Sequence, residues 1–298
     1  MTSNNDDRGF GDSGPETWNN MDWSPTPPDQ MLLTTAARSL FSPEMDEAEI
    51  RQLIVCAQSR VLDEFADTLR PYMCVLRFAF VLPRLHLHPR FHVLVPDVER
   101  LESFVDLGCC MGADIRYLLK LGAPRRSLLG LDYSQTFLTE GCSLWDNQKE
   151  RDENNMELFH QCDALLSSSL LHVVREARPE WWLLEANGGV NLVHVGSVLH
   201  TFETAESIQH VCQSVYDLLS PGGCFFGSNR PRWIYGTPEK LKKCLENIGF
   251  VQVTVEQRKV VLSKNNLNVV VKDGWGPTWF SSFKPVMAPK MSTTKARI

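Results

Sequence analysis

Phe104-Val105-Asp106-Leu107-Gly108-Cys109-Cys110-Met111-Gly112-Ala113-Asp114 reads as a strand, a glycine turn and the start of a helix. Gly108 and Gly112 let a ligand approach the backbone where a side chain would block it. The N–H groups of the helix that follows face such a ligand. A dinucleotide site would ask for Gly-x-Gly-x-x-Gly, but position 110 is Cys and position 113 is Ala. Asp106, placed before the first glycine, suits a cationic ligand better than a pyrophosphate. Cys109 and Cys110 read as small residues filling a tight turn, because no base or cation that would activate a thiol is visible beside them.

Working outward from this turn, short apolar runs alternate with amphipathic segments. Strands are expected at Ser103–Cys109, Ser127–Tyr133, Leu158–Leu165, Val190–Val198 and Cys224–Ser228. Helices are expected at Ala113–Leu121, Phe137–Asp152, Leu170–Ala177, Ala205–Leu219 and Pro238–Ile248, the last stopped by Gly249. Val251–Val261 and Trp279–Val286 pair as closing strands. Strands that alternate with helices imply an α/β fold, a mostly parallel sheet layered by helices on both faces. Ligands of such sheets sit at the C-terminal strand ends, at the switch point.

Upstream, Ser42-Pro43-Glu44 has the form of a helix start, with a capping hydroxyl followed by a proline whose missing N–H costs nothing. Ile50, Leu53, Ile54, Ala57, Val61, Phe65 and Leu69 then follow at helical spacing up to Pro71. A second, shorter helix is expected from Met73 to Leu87, closing at Pro89. The chain is 298 residues long, 43% hydrophobic and 22% charged, so one large domain or two small ones can bury a core without disulfide or metal staples. Its net charge is −6. Six acids against Arg8 place −5 of that between Met1 and Gln30, a segment rich in Asn, Asp, Gly, Ser and Pro. That segment reads as disordered, with Trp18 and Trp23 either a docking motif or loosely packed. The near-neutral remainder excludes a general nucleic-acid binder. Nine cysteines without a Cys-x-x-Cys pair read as free thiols in a reducing cytosol. No apolar run is long enough for a membrane span, and the polar first residues are not a signal peptide.

Twenty residues after Gly112 stands Asp132, in Leu129-Gly130-Leu131-Asp132-Tyr133. An acid at the end of the second strand can accept hydrogen bonds from both ribose hydroxyls. Asp163, in Gln161-Cys162-Asp163-Ala164, can accept from an adenine amino group, or can cap the next helix. Together they describe a nucleoside site, and no triphosphate-binding loop is present. His200 follows the fourth strand, where its ordinary pKa suits a general base for a hydroxyl; it can equally hold a substrate or be structural. His194 lies within that strand and reads as structural. His86, His88 and His92 match no standard metal-ligand spacing, and Pro89 breaks any shared helix face, so no metal is expected.

These residues resemble the class I S-adenosylmethionine-dependent methyltransferases over roughly Ser103 to Met287. Tyr72-Met73-Cys74, Arg77-Phe78, His88-Pro89, Asp114-Ile115-Arg116, His194-Val195-Gly196-Ser197-Val198-Leu199-His200-Thr201-Phe202 and Leu218-Leu219-Ser220-Pro221-Gly222-Gly223 are similar to the fungal secondary-metabolite methyltransferases, which act on polyketide and meroterpenoid intermediates. Met73 departs from that group, where Pro usually follows the Tyr. The resemblance implies a Rossmann-like sheet of seven strands, the last antiparallel, under an N-terminal helical cap. It implies an acidic tail over residues 1–41, the cap over 42–100, the donor-binding domain over 101–288 and a second tail over 289–298. It implies S-adenosyl-L-methionine as cofactor, bound by Asp106, Gly108, Cys110, Gly112, Asp132, Tyr133, Asp163, Ala164 and Gly196. The acceptor, a small hydrophobic natural-product intermediate methylated on a carboxylate, phenol or alcohol oxygen, would meet Tyr72, Arg77, Ser197 and His200, with His200 as the base for a hydroxyl. A cytoplasmic enzyme with no nucleic-acid or membrane partner, able to form a homodimer, completes this expectation. A non-catalytic donor-binding protein, a cyclase reusing the pocket and a protein methyltransferase stand as alternatives.

Overall fold

The computed structural model describes residues 26–65, 72–145, 158–165, 167–183, 188–202, 204–229, 237–262 and 269–286. Most of the acidic N-terminal segment, with Trp18 and Trp23, lies outside them. So do the last residues expected in the Phe137–Asp152 helix.

Seven strands form one sheet: β1 (Phe104–Leu107), β2 (Leu128–Asp132), β3 (Phe159–Gln161), β4 (Val190–Gly196), β5 (Leu219–Asn229), β6 (Val251–Leu262) and β7 (Val269–Phe283). Their spatial order is β3-β2-β1-β4-β5-β7-β6. The first five are mutually parallel, while β7 runs antiparallel between β5 and β6. The chain moves outward from β1 to β3, then returns to lay β4 against the other side of β1. The switch point therefore lies between β1 and β4, and the turns that leave both strands open on the same C-terminal edge. Asp106 of β1 stands level with His194 of β4 in the register.

Two apolar layers cover the sheet. On one face α7 (Ser167–Ala177), α8 (Ala205–Leu218) and α9 (Pro238–Ile248) bury Leu170, Val174, Ile208, Val211, Val215, Leu241 and Leu245 against Val193, Val195 and Phe225. On the other, α5 (Ala113–Lys120) and α6 (Gln135–Trp145) bring Ile115, Leu118 and Leu138 onto Phe104, Leu128 and Phe226. Phe225 and Phe226 divide between the faces as alternation along a strand requires. Ser134 accepts the Phe137 N–H at 3.2 Å, which starts α6 two residues earlier than expected. The fifth and seventh strands are longer than their apolar runs. Leu219–Gly223 joins β5 through a bulge opposite β4, and β7 begins ten residues before Trp279.

A third apolar cluster builds the cap. In it α1 (Thr35–Arg38) and α2 (Glu47–Glu64) pack Ala37, Ile50, Ile54, Ala57 and Val61 with Phe137, Leu144 and Trp145 of α6. Met31, Leu33 and Phe41 are buried in the same cluster, so the expected tail boundary at 41 is corrected: at least residues 31–41 belong to the cap. The helix start expected at Ser42 is corrected as well. Asp46 accepts the Glu49 N–H at 2.8 Å and Glu49 Oε2 accepts the Asp46 N–H at 2.9 Å. This reciprocal capping box satisfies two end groups, where Ser42 would satisfy one. The single helix expected over Met73–Leu87 is broken. It is α3 (Met73–Leu76) followed by 3-10 turns at Ala79–Val81 and Leu85–Leu87, because Phe78 takes a left-handed backbone (φ 53°) and Pro83 lacks an N–H. A short α4 (Phe91–Leu94) completes the cap, and His88 anchors it to the sheet by donating Nε2–H to the Phe280 carbonyl at 2.9 Å. Burial holds the His88 pKa down at about 4, so the bond is made by a neutral ring.

Candidate active site

The glycine turn leaves β1 with Gly108 at φ +74° and Gly112 at φ +80°. Its backbone is held from below, since the Gly108 and Cys109 N–H groups both donate to Leu131 O, at 2.7 and 2.9 Å. A Cβ on Gly108 would overlap a Val198 methyl, in a conformation that L residues avoid. Gly108→Ala should therefore destabilise the protein by about 1–3 kcal/mol, read as a lower urea midpoint. An unchanged midpoint would show that the turn is not constrained in this way.

Cys110, standing where a glycine would be expected, also adopts a left-handed backbone (φ 53°). Its N–H donates to Asp132 Oδ2 at 2.7 Å, which fixes the turn against the end of β2. Its thiol is engaged by Cys74 of α3 rather than aimed at a ligand. That hydrogen bond, followed by burial, raises its pKa well above the ordinary thiol value. A thiol held in this state is a filler, not a nucleophile.

Asp132 is buried, and its second oxygen accepts the Ser134 N–H at 3.0 Å. Burial pushes its pKa up to about 6 despite these bonds. Tyr72, at the start of α3, packs edge-on against Phe65 and Phe137 and stands close enough to Asp132, Tyr133 and Cys110 for them to raise its pKa after burial does. The cap thus packs against the glycine turn through Tyr72 and Cys74. Tyr133 is 66% exposed, and Gln161 donates to its carbonyl at 2.9 Å. Asp163 accepts the Leu165 N–H at 2.9 Å, a local turn bond before α7 rather than a cap on that helix, beside buried Ala164.

Asp106 is not open at the surface of the turn. Its Oδ1 lies 2.8 Å from His194 Nδ1, with both side chains buried. Asp114, in the first turn of α5, comes close enough for one ligand atom from each of the three residues to lie within 4.8 Å of the others. Burial works to lower the His194 pKa, but the hydrogen bond and charge of Asp106, with Asp114 behind it, outweigh it and leave the pKa raised. This is an ion-pair cluster. At 2.8 Å the imidazole N–H donates to the carboxylate in a charge-assisted hydrogen bond.

Gly196 ends β4, and Ser197 follows with a left-handed backbone (φ 60°), its N–H on Ser228 O at 2.7 Å. His200 sits partly buried on the 3-10 turn Leu199–Thr201 that leaves β4. Arg77 is exposed and donates to Thr26 at 3.2 Å, on the strap that precedes α1. Two residues at this edge carry no sequence signal. Arg84 donates from Nη1 to Ser197 Oγ at 2.9 Å. Asn229, the last residue of β5, is fully buried with neither its Nδ2 nor its Oδ1 bonded. Asp114 was legible as part of the quoted turn, but its partners lie thirty residues upstream: its Oδ1 accepts the Arg84 and Leu85 N–H groups at 2.7 and 2.8 Å.

No family model matches the chain. Among curated proteins it is 29% identical over 152 residues to the O-methyltransferase phiE of a fungal species (51% of this chain, 45% of the relative). It is 27% identical over 174 residues to the O-methyltransferase atr3 of Stereocaulon alpinum (58% and 44%). It is 25% identical over 211 residues to the methyltransferase adrK of Penicillium roqueforti (65% and 70%). The chain spans about half the length of the first two relatives. Among solved structures it superposes on PigF with SAH at a TM-score of 0.47 and 14% identity, over 84% of this chain and 70% of that one. Magnesium protoporphyrin IX methyltransferase of Synechocystis superposes at 0.41 and 14%, over 85% and 93%. These superpositions are loose, and the fold assignment rests on the sheet itself. Seven strands with an antiparallel β7, and an acid ending β2 beside the glycine turn after β1, make the Rossmann-like fold of class I methyltransferases, and over about half its length the chain is similar to fungal methyltransferases.

Proposed function

We propose that the protein transfers a methyl group from S-adenosylmethionine to an oxygen of a small hydrophobic secondary-metabolite intermediate. The observation that carries this reading is the junction of Asp132 with the glycine turn at the switch point, roofed by Tyr72. The donor set there fits a nucleoside bearing an amino acid. Asp132 would accept from the ribose, Asp163 and Ala164 would border the adenine with Tyr133 at the rim, and the turn from Gly108 to Gly112 would receive the methionine part. Bound, the donor supplies an electrophilic methyl group. The chain's own contribution is alignment and exclusion of water, and positioning alone contributes about 7–11 kcal/mol in well-oriented systems.

Acceptor chemistry falls to the edge formed by β4 and β5. A carboxylate acceptor is ionised near neutral pH and needs no base. A phenol or alcohol needs a proton removed, and His200, on the turn that leaves β4, would take it. The unbonded Asn229 amide offers two N–H donors and an acceptor oxygen to a polar group of the substrate. Two O-methyltransferase relatives favour oxygen as the methylated atom.

The test is incubation of the protein and donor with metabolite extracts, read by mass spectrometry. A product heavier by one methylene is expected, and its absence across oxygen-bearing acceptors overturns the reading. With an identified acceptor, His200→Ala should lower turnover and flatten the pH profile if that acceptor is a hydroxyl. Full turnover with a hydroxyl acceptor would remove His200 as the base.

A further inference from the structure

We infer that Arg84, a residue of the cap, is the receptor for the carboxylate of the donor's amino-acid end, so that the bound donor bridges cap and sheet. This rests on the donor reading above. The guanidinium reaches the C-terminal edge of β4, where Nη1 donates to Ser197 Oγ at 2.9 Å. Its starting point is fixed, since Asp114 of α5 accepts both the Arg84 and the Leu85 N–H. The same carboxylate that opens the helix after the glycine turn therefore decides where Arg84 stands.

Charge bookkeeping around it points the same way. Arg84 makes no ion pair among the described residues, and its side chain is only partly buried. The nearest acids are already engaged: Asp106 holds His194, whose pKa is raised, and Asp114 holds two backbone N–H groups. A guanidinium carries five donors in a planar fork, of which Ser197 takes one. The fork matches a carboxylate bidentately, as a lysine ammonium would not. Ser197, the residue after β4, holds Nη1 of the fork, and its left-handed backbone sets that hydroxyl's place.

The experiment compares two ligands by calorimetry on the full chain. S-adenosylhomocysteine carries the amino-acid end, whereas 5′-methylthioadenosine has the same nucleoside and thioether without it. Arg84→Gln should weaken S-adenosylhomocysteine by at least about tenfold, the scale of a lost charge-assisted pair, and leave 5′-methylthioadenosine within about twofold. Arg84→Lys should fall between wild type and Arg84→Gln for the first ligand only. Unchanged S-adenosylhomocysteine affinity overturns the assignment. So does an equal loss for both ligands in both variants, which marks a structural residue. If the wild-type protein binds neither ligand, the donor reading itself fails and takes this inference with it.

Discussion

Asp132→Ala is expected to lower the affinity for S-adenosylmethionine by at least about tenfold, the scale of a lost hydrogen bond to a charged group. Asp132 ends β2 on the edge where β1 releases the glycine turn, and its two oxygens already accept the Cys110 and Ser134 N–H groups. An ionised carboxylate has about four acceptor sites, so two remain for ribose hydroxyls. The variant removes those and also frees the Cys110 N–H, so two losses combine. Asp132→Asn separates them: it keeps one acceptor for the turn and should bind the donor between wild type and Asp132→Ala. A pH signature accompanies the effect. Burial holds the Asp132 pKa at about 6, above its ordinary 3.8. Folding thus favours the protonated acid, and that contribution to stability is present at low pH and lost as pH rises through about 6. Ribose hydroxyls donate to the ionised form, so donor affinity should climb between about pH 5 and pH 7 and then level. Calorimetry across that range checks it. A flat profile in the wild type, or wild-type affinity in Asp132→Ala, removes Asp132 from the ribose site.

Much of this site was legible because it is local in sequence. Gly108, Cys110, Gly112 and Asp132 sit in turns whose chemistry is written within a few residues, and strand alternation carries Asp132 to the edge that β1 shares. What was not legible depends on contacts between distant segments. Asp106 reads as a ligand-facing acid until β4 lands beside β1 and sets His194 level with it, eighty-eight residues away. Arg84 follows a proline inside the stretch expected as one helix, and only Asp114 and Ser197 reveal its place. Arg77, which has the better sequence credentials, donates one of its five N–H groups to Thr26. The broken helix after Tyr72 has the same origin. Its apolar run satisfies helical spacing, but the left-handed Phe78 lets three short turns bury Leu76, Phe80, Val81 and Leu85 on the cap and the sheet at once. The expected start at Ser42 failed for a local reason, since a better box stood four residues later.

His194→Ala should cost about 3–5 kcal/mol of stability, because breaking a buried ion pair leaves its partner charged and unpaired. The remaining Asp106 would stand buried beside Asp114, two carboxylates with no cation between them, so the expected value lies toward the upper end. Asp106→Ala should cost a similar amount, by leaving the imidazole without its acceptor. Replacing both with leucine should cost less than either single change, since no charge is then stranded. Urea midpoints on the four proteins test this, and additive losses in the double variant would show that the two side chains do not act as a pair. The sign with pH follows from the direction of the shift. The His194 pKa is raised above its ordinary 6.5 in the fold, so the pair's contribution is fully present below about 6.5 and is lost as pH rises through the higher folded value. Wild-type stability should therefore fall on the alkaline side where that of His194→Ala does not. The pair lies directly beneath the glycine turn, with Asp114 joined to it and Arg84 hung from Asp114. A variant that loses His194 should consequently bind 5′-methylthioadenosine better than it binds S-adenosylhomocysteine, relative to wild type, because what it disturbs is the floor under the amino-acid end and not the Asp132 end.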